Sequence, residues 1–312
     1  RLEEPFRGES RGPGSAVPSL LGRGSERQHR QAGPMRDFMC SSHTISGVMP
    51  GSPVAARHGL EVRLGACAAA GYAGFWLHWR DYLEQRAAGM DDAALLDLFD
   101  RHGMRHRGVE FLTDWFLPGD EAAASAERAA FDAATAIGAR LISVGADFQG
   151  RGFSRREMVA RFGELCSRAA ERGLSVALEF VPFSDVPDIA SALDFLAPPN
   201  AGLVIDCWHL FRGGMSSSDL ASVLPGRIFC VQVSDATPAP TAPFAEDTRN
   251  RLPCGEGGLD LVSFAAAIDR HAPGIPISVE IISPRMAGLS ARDAAFESIR
   301  GAKTLFGGDR PQ

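Results

Sequence analysis

Short apolar runs and helical stretches alternate along most of this chain. The apolar runs fall near 37–45, 72–78, 106–112, 139–145, 174–181, 201–207, 227–233 and 276–282. Between them lie segments such as DDAALLDLFDRHG, DEAAASAERAAFDAATAIG, SRREMVARFGELCSRAAERG and LDLVSFAAAIDRH, whose apolar positions recur at helical spacing. Gly103, Gly138 and Gly173 supply stops at helix ends. A strand followed by a helix, eight times over, predicts parallel pairing with right-handed crossovers. Eight repeats predict closure into a single (β/α)8 (TIM) barrel. The competing arrangement is an open, doubly wound sheet. It would want a glycine-rich phosphate turn after its first strand, and the segment there, ISGVMPGSP, has no GxGxxG.

Residues 1–34 do not share this pattern. They are rich in Gly, Arg, Ser and Pro and have no period, which predicts a disordered leader. The barrel domain is then expected over 35–312. The leader lacks the apolar core of a secretory signal, and Glu3, Glu4, Glu9 and Glu26 weigh against a transit peptide. Met35 would serve as a natural start, making the leader an artefact of gene assignment.

The 312 residues, 45% of them hydrophobic, suffice for one barrel, which typically takes about 250 residues. A net charge of −6 offers no basic surface to offset phosphates, so nucleic acid is not an expected partner. No run approaches the roughly 18 apolar residues of a membrane helix, so no membrane association is expected. Six scattered cysteines with no CxxC pair point to reduced thiols and a cytoplasmic protein. Lys303 is the single lysine and lies in the expected last helix, which argues against Schiff-base chemistry.

The candidate chemistry sits at the ends of four apolar runs. Glu179 closes SVALEF, Asp206 closes GLVID, Gln232 lies in FCVQVSD and Glu280 in ISVEII. Their spacings of 27, 26 and 48 residues correspond to one, one and about two strand-plus-helix repeats. In a parallel barrel, residues at the C-terminal strand ends face one shared mouth. Three carboxylates and an amide there form an oxygen-rich site for one hard divalent cation. Buried carboxylates without a cation would repel one another and be driven to protonate. His209, three residues past Asp206, is placed above such a site for acid–base work or contact with a substrate hydroxyl. Arg212 is a candidate for an anionic substrate group.

The segment after the seventh run, SDATPAPTAPFAEDTRNRLPCGEGGLD, has the length of a functional loop and offers Arg249, Arg251 and Glu256. Asp235 is a candidate to orient the Gln232 strand end. His43, His78 and Glu110 are expected on the opposite wall, with Trp76, Trp79, Trp115 and Trp208 as apolar floor or core.

LEFVPF, GLVIDCWHLFRGG, VQVSDA, RLPCGEGGLDL and SVEI together resemble the xylose isomerase-like barrel superfamily of sugar phosphate isomerases and epimerases, over about residues 37–306. That resemblance implies one Mn, Mg or Co ion, manganese foremost, held by Glu179, Asp206, Gln232 and Glu280. It also implies a substrate-contacting role for His209. Ketose 3-epimerases of this superfamily usually carry histidine where Gln232 stands. Glutamine there is similar to dehydratases acting on dehydroshikimate or keto-inositol. The DNA-repair endonuclease branch needs an H-x-H pair at the later strand ends, which this chain lacks.

The implied chemistry is proton removal beside a carbonyl by Glu179, Glu280 or His209, through an enediolate. The foremost reading is a metal-dependent isomerase or epimerase of a sugar or polyhydroxy ketone. The alternative is a lyase that dehydrates a cyclic keto-polyol, and a third is a barrel that binds a ligand without catalysis. His78, Glu110, Arg212 and Arg251 are the expected substrate contacts. The partner is a small sugar-like molecule, and the exposed helix faces of such a barrel leave room for a homo-oligomer.

Overall fold

The computed structural model describes residues 36–307, so the expectation of a disordered leader over 1–34 lies outside the described residues. Eight parallel strands close in sequence order into a barrel. They are β1 (Phe38–Ser41), β2 (Gly74–His78), β3 (His106–Leu112), β4 (Leu141–Val144), β5 (Ser175–Glu179), β6 (Ala201–Asp206), β7 (Ile228–Val233) and β8 (Ile277–Val279). Each lies within the apolar run that predicts it. Closure comes from β1 pairing with β8, with Met39 opposite Ser278.

The helices depart from a strict one-per-crossover pattern. Two helices, Trp79–Ala87 and Asp92–Arg101, fill the connection from β2 to β3. The connection from β5 to β6 holds only the short Ile189–Ala192 turn and a 3-10 turn, Leu193–Phe195. Its sequence, VPDIASALDFLAPPN, is too short for a full crossover helix and ends in two prolines. The longest helices among the described residues are Glu121–Ala136, Arg155–Glu171 and Ala291–Phe306. The second of these opens on a capping box between Ser154 and Glu157.

The register sets the level of the mouth. Asp206 pairs directly with Gln232, and Glu179 with Val204. Val233 pairs with Val279, and the Glu280 amide continues that ladder by donating to the Val233 carbonyl at 3.1 Å. Side chains two apart on a strand share a face. Below Glu179, Asp206 and Gln232 on that same face lie Ala177, Val204 and Cys230. These pack with Met39 and Trp76 into a small apolar cluster that plugs the base of the barrel. Glycine makes room for the plug: a Cβ on Gly108 would stand 2.3 Å from the Trp76 ring, and one on Gly202 2.4 Å from the Phe229 ring. Trp76 is therefore the base of the barrel and not the floor of the site.

All six cysteines are free and buried. No helix of the described residues is long and apolar enough to cross a membrane.

Candidate metal centre and active site

The strand ends, a short helix and one loop build the site. Asp206 ends β6 and also caps the helix Cys207–Arg212, where its Oδ1 accepts from the Trp208 amide at 2.7 Å. That cap leaves Oδ2 for the mouth. The same helix turns His209 back over β5 and β6. Its Nε2 lies 3.2 Å from Glu179 Oε1 and 3.9 Å from Asp206 Oδ2. Glu179, Asp206 and His209 each present one ligand atom, all within 4.8 Å of one another and all buried. Such a cluster suits a divalent metal ion.

Arg251 enters from the loop after β7 and is itself buried. Its Nη1 donates to Asp206 Oδ2 at 2.6 Å and to Glu280 Oε2 at 3.0 Å, and its Nη2 lies 3.2 Å from His209 Nε2. The guanidinium also stacks on the Trp208 ring, 5.4 Å from its centroid. Positive charge thus meets the two acids that the spacing places at β6 and β8.

On the other side, Glu280 Oε1 and Glu110 Oε1 each lie 3.0 Å from the Ser41 hydroxyl. One hydroxyl proton can go to only one of them at a time. Glu110 Oε1 further accepts from the Ser42 amide at 2.7 Å, while Oε2 has no partner. Gln232 is buried between the acids, and its Oε1 is likewise unpartnered. A buried amide oxygen without a donor is costly, by about 1–3 kcal/mol, and a cation supplies what it lacks. The donor set therefore fits a metal.

Electrostatics separate these groups. Burial pushes Glu179 up to about 8, with the Asp206 charge adding to the rise and Arg251 opposing it. Burial likewise pushes Glu280 up to about 7 against the pull of Arg251. Burial would raise Asp206 too, but the charge and hydrogen bond of Arg251, with His209 and the Trp208 amide, hold it below its ordinary value. His209 falls to about 4, because burial of its charged form outweighs the attraction of Asp206. Glu110 is raised well above the carboxylate range by burial and then by the Glu280 charge.

Glu110, Glu179, His209, Gln232, Arg251 and Glu280 line one cavity of about 280 Å³ at the mouth, together with His43, Thr248 and Arg249, while Asp206 is buried beside them. Its far wall is aromatic. Phe111 and Phe148 have ring centroids 6.2 Å apart, Phe148 and Phe183 5.8 Å, and Phe183 and His209 6.4 Å.

Among the expected substrate contacts, Glu110 and Arg251 line this cavity, but His78 and Arg212 do not. His78 caps the helix Trp79–Ala87 through its Nδ1, which accepts from the Arg80 amide at 3.1 Å, and stacks on Trp79. Arg212 is buried, with Nε donating to Asp247 Oδ2 at 2.8 Å and Nη2 to the Thr237 carbonyl at 2.9 Å. Arg212 lies about one turn further along the helix than His209, where it meets the loop after β7 and fastens it. Glu256 pairs with Arg285 at 2.6 Å, away from the mouth. Asp235 accepts amide protons from Ala236, Gly255, Gly257 and Leu259, so it pins the GEGG turn and not Gln232. The signal for Ser41, a polar residue closing β1 as Glu179 closes β5, is present in the chain but easily passed over. Phe111 lies near the end of β3, and Phe148 and Phe183 lie on loops, where no periodicity marks them.

The model of the xylose isomerase-like TIM barrel matches residues 64–305, most of the chain and seven of the eight strands. The chain belongs to the xylose isomerase-like TIM barrel family. Within that family it is similar to an inosose isomerase of Halalkalibacterium halodurans, 28% identical over 145 residues, which cover 45% of this chain and 51% of that one. It is also similar to a 3-dehydroshikimate dehydratase of Pseudomonas aeruginosa, 28% identical over 142 residues, covering 44% of this chain and 22% of the dehydratase. The matches thus span about half of the one relative and less than a quarter of the other. Among solved folds, an IolI protein with a bound zinc atom superposes with a TM-score of 0.74 at 17% identity, over 86% of this chain and 98% of that one. At that identity the likeness concerns the barrel alone.

Proposed function

We propose that this barrel is a metal-dependent enzyme that moves a proton on the carbon beside the ketone of a small polyhydroxylated substrate. The observation that carries the reading is the unpartnered, buried Gln232 Oε1 standing among Glu179, Asp206 and Glu280. These four residues would hold one divalent cation, for which manganese is the first choice and magnesium or cobalt the alternatives. A cation held there would polarise a substrate carbonyl and acidify the neighbouring C–H.

The protein's own groups do the rest. Glu179 or Glu280 takes the proton, each being a buried carboxylate at the mouth whose proton affinity burial raises in the metal-free protein. His209, 3.2 Å from Glu179, passes a proton to or from that carboxylate and contacts a substrate hydroxyl. Arg251 fixes Asp206 and Glu280 in place and binds substrate oxygen beside them. The aromatic wall and the plugged base keep the reacting carbon out of bulk water.

Return of the proton to a neighbouring atom or to the opposite face gives isomerisation or epimerisation, the reading favoured by the similarity to inosose isomerase. Dehydration of a cyclic keto-polyol is the second reading. Gln232 in place of histidine and the similarity to the dehydratase favour it. The test is proton exchange in heavy water with inosose, ketose and 3-dehydroshikimate panels, alongside metal analysis. Deuterium entering beside the carbonyl, with about one divalent ion per chain, is the expected result. Absence of exchange from every ketone by metal-loaded protein overturns it.

A further inference from the structure

We infer that Arg249 is a specificity-determining residue whose guanidinium receives a carboxylate carried by the substrate, on the ring edge away from the reacting carbonyl. The inference deepens the functional reading above and rests on it.

Arg251 and Arg249 line the mouth, and Arg212 lies outside it; Arg251 and Arg212 are both paired with acidic side chains of the fold. Arg251 is engaged by Asp206, Glu280 and Thr248. Arg212 is engaged by Asp247 and Thr237. Arg249 differs. It lines the same cavity and is exposed at its rim, and among the described residues its side chain has neither an ion pair nor a hydrogen bond. Its Nη2 reaches across to the loop after β1, where it would lie 3.9 Å from a Cβ placed on Gly51. It therefore leans over the opening.

Charge points the same way. A dication together with Arg251 balances the carboxylates of Glu179, Asp206 and Glu280. Arg249 adds a positive charge at the rim that no carboxylate among the described residues pairs. A lone guanidinium matches a carboxylate through two parallel hydrogen bonds, whereas a phosphate dianion would keep a charge unmatched. The same cavity is walled by Phe111, Phe148 and Phe183, which offer an apolar surface to the C–H face of a ring. The occupant these features describe is a cyclic keto-polyol acid, polar at the floor, apolar on one face and anionic at the rim.

The test compares equilibrium binding of shikimate, myo-inositol and glucose 6-phosphate, by calorimetry, to Mn2+-loaded wild type, Arg249→Gln and Arg249→Lys. Wild type is expected to bind shikimate at least about 10-fold more tightly than myo-inositol, the scale of one charge-assisted pair. Arg249→Gln is expected to lose about 10- to 100-fold for shikimate while myo-inositol binding stays put, and Arg249→Lys to recover part of the loss. Equal affinity of wild type for the acid and the neutral polyol overturns the inference. So do tighter binding of the phosphate, no binding of shikimate, and parallel losses for all three probes in Arg249→Gln. Failure of the enzymatic reading is separable from these: it appears as no proton exchange from 3-dehydroshikimate or inosose even where the acid is preferred.

Discussion

Nε2 of His209 lies 3.2 Å from Oε1 of Glu179, and both are buried. Burial draws their proton affinities in opposite directions, lowering the imidazole to about 4 and raising the carboxyl to about 8. In the metal-free protein near neutral pH, the proton between them therefore rests on Glu179, and His209 accepts. Removing the imidazole should leave the cation bound while depriving the carboxylate of its exchange partner. His209→Ala is expected to slow turnover by roughly 100-fold, the usual scale for loss of a general acid or base, with metal content unchanged. An unaltered kcat would reduce His209 to a packing residue.

Arg251 stands against two buried acids, so its removal should cost the stripped protein far more than the metal-loaded one. With chelator present, Arg251→Met is expected to lose about 3–5 kcal/mol, the range for breaking a buried ion pair from one side. Saturating Mn2+ should recover much of that loss, because the cation then neutralises Asp206 and Glu280. Urea midpoints with and without EDTA measure both numbers. Equal losses in the two conditions would mean that the cation does not share those carboxylates.

Gln232 allows a test that separates binding from folding. Its unpartnered Oε1 contributes nothing to the stripped fold. Gln232→Leu should keep or raise stability in EDTA, by up to about 1–3 kcal/mol if the orphan acceptor is relieved, while weakening the affinity for Mn2+. Gln232→His should retain the metal, since imidazole is also a ligand for these ions. Undiminished Mn2+ affinity in the leucine variant would remove Gln232 from the ligand set.

Metal affinity should climb with pH. Glu179 near 8 and Glu280 near 7 both carry protons at pH 6, and a cation must displace them. The sign follows directly: raised carboxyl values mean that protons compete with the metal until the pH passes those values. Mn2+ titrations at pH 6, 7, 8 and 9 should show tightening through 7 and 8 and a plateau above. A flat profile would show that these two groups are not displaced.

Arg212 is expected to act on the loop after β7 and not on substrate. Asp247 accepts from Arg212, from the Thr241 amide at 2.8 Å and from the Thr241 hydroxyl at 2.9 Å, which ties the loop to the helix that bears His209. Arg212→Ala should destabilise the protein by roughly 3 kcal/mol and speed limited proteolysis within 236–250. Resistance equal to wild type would show that the pair does not hold the loop.

The strands and the barrel are legible in the chain because burial on both faces leaves each strand a nearly continuous apolar run, and a single polar residue at its end stands out. Glu179, Asp206, Gln232 and Glu280 are readable for that reason, and the register brings them to one level. The roles of His78, Arg212 and Asp235 are not readable in the same way. Each sits within a turn or two of a strand end, where a small change of helical or loop phase decides whether a side chain meets the cavity or a backbone amide. Arg251 and Arg249 are two residues apart on one loop, yet one is buried among acids and the other lies at the rim. No periodic pattern distinguishes them.

The apolar plug beneath the site has a kinetic consequence. Met39, Trp76 and Cys230 fill the base, so substrate reaches the site from the mouth of the barrel. A proton lifted from the substrate onto a buried carboxylate then has few water molecules to trade with before it is handed back. Isotope should therefore be conserved in part within a single turnover, so that some tritium placed at the reacting carbon reappears in the product, while repeated turnovers in heavy water still bring solvent deuterium in beside the carbonyl. The plug would thus make the barrel a closed crucible for its own proton.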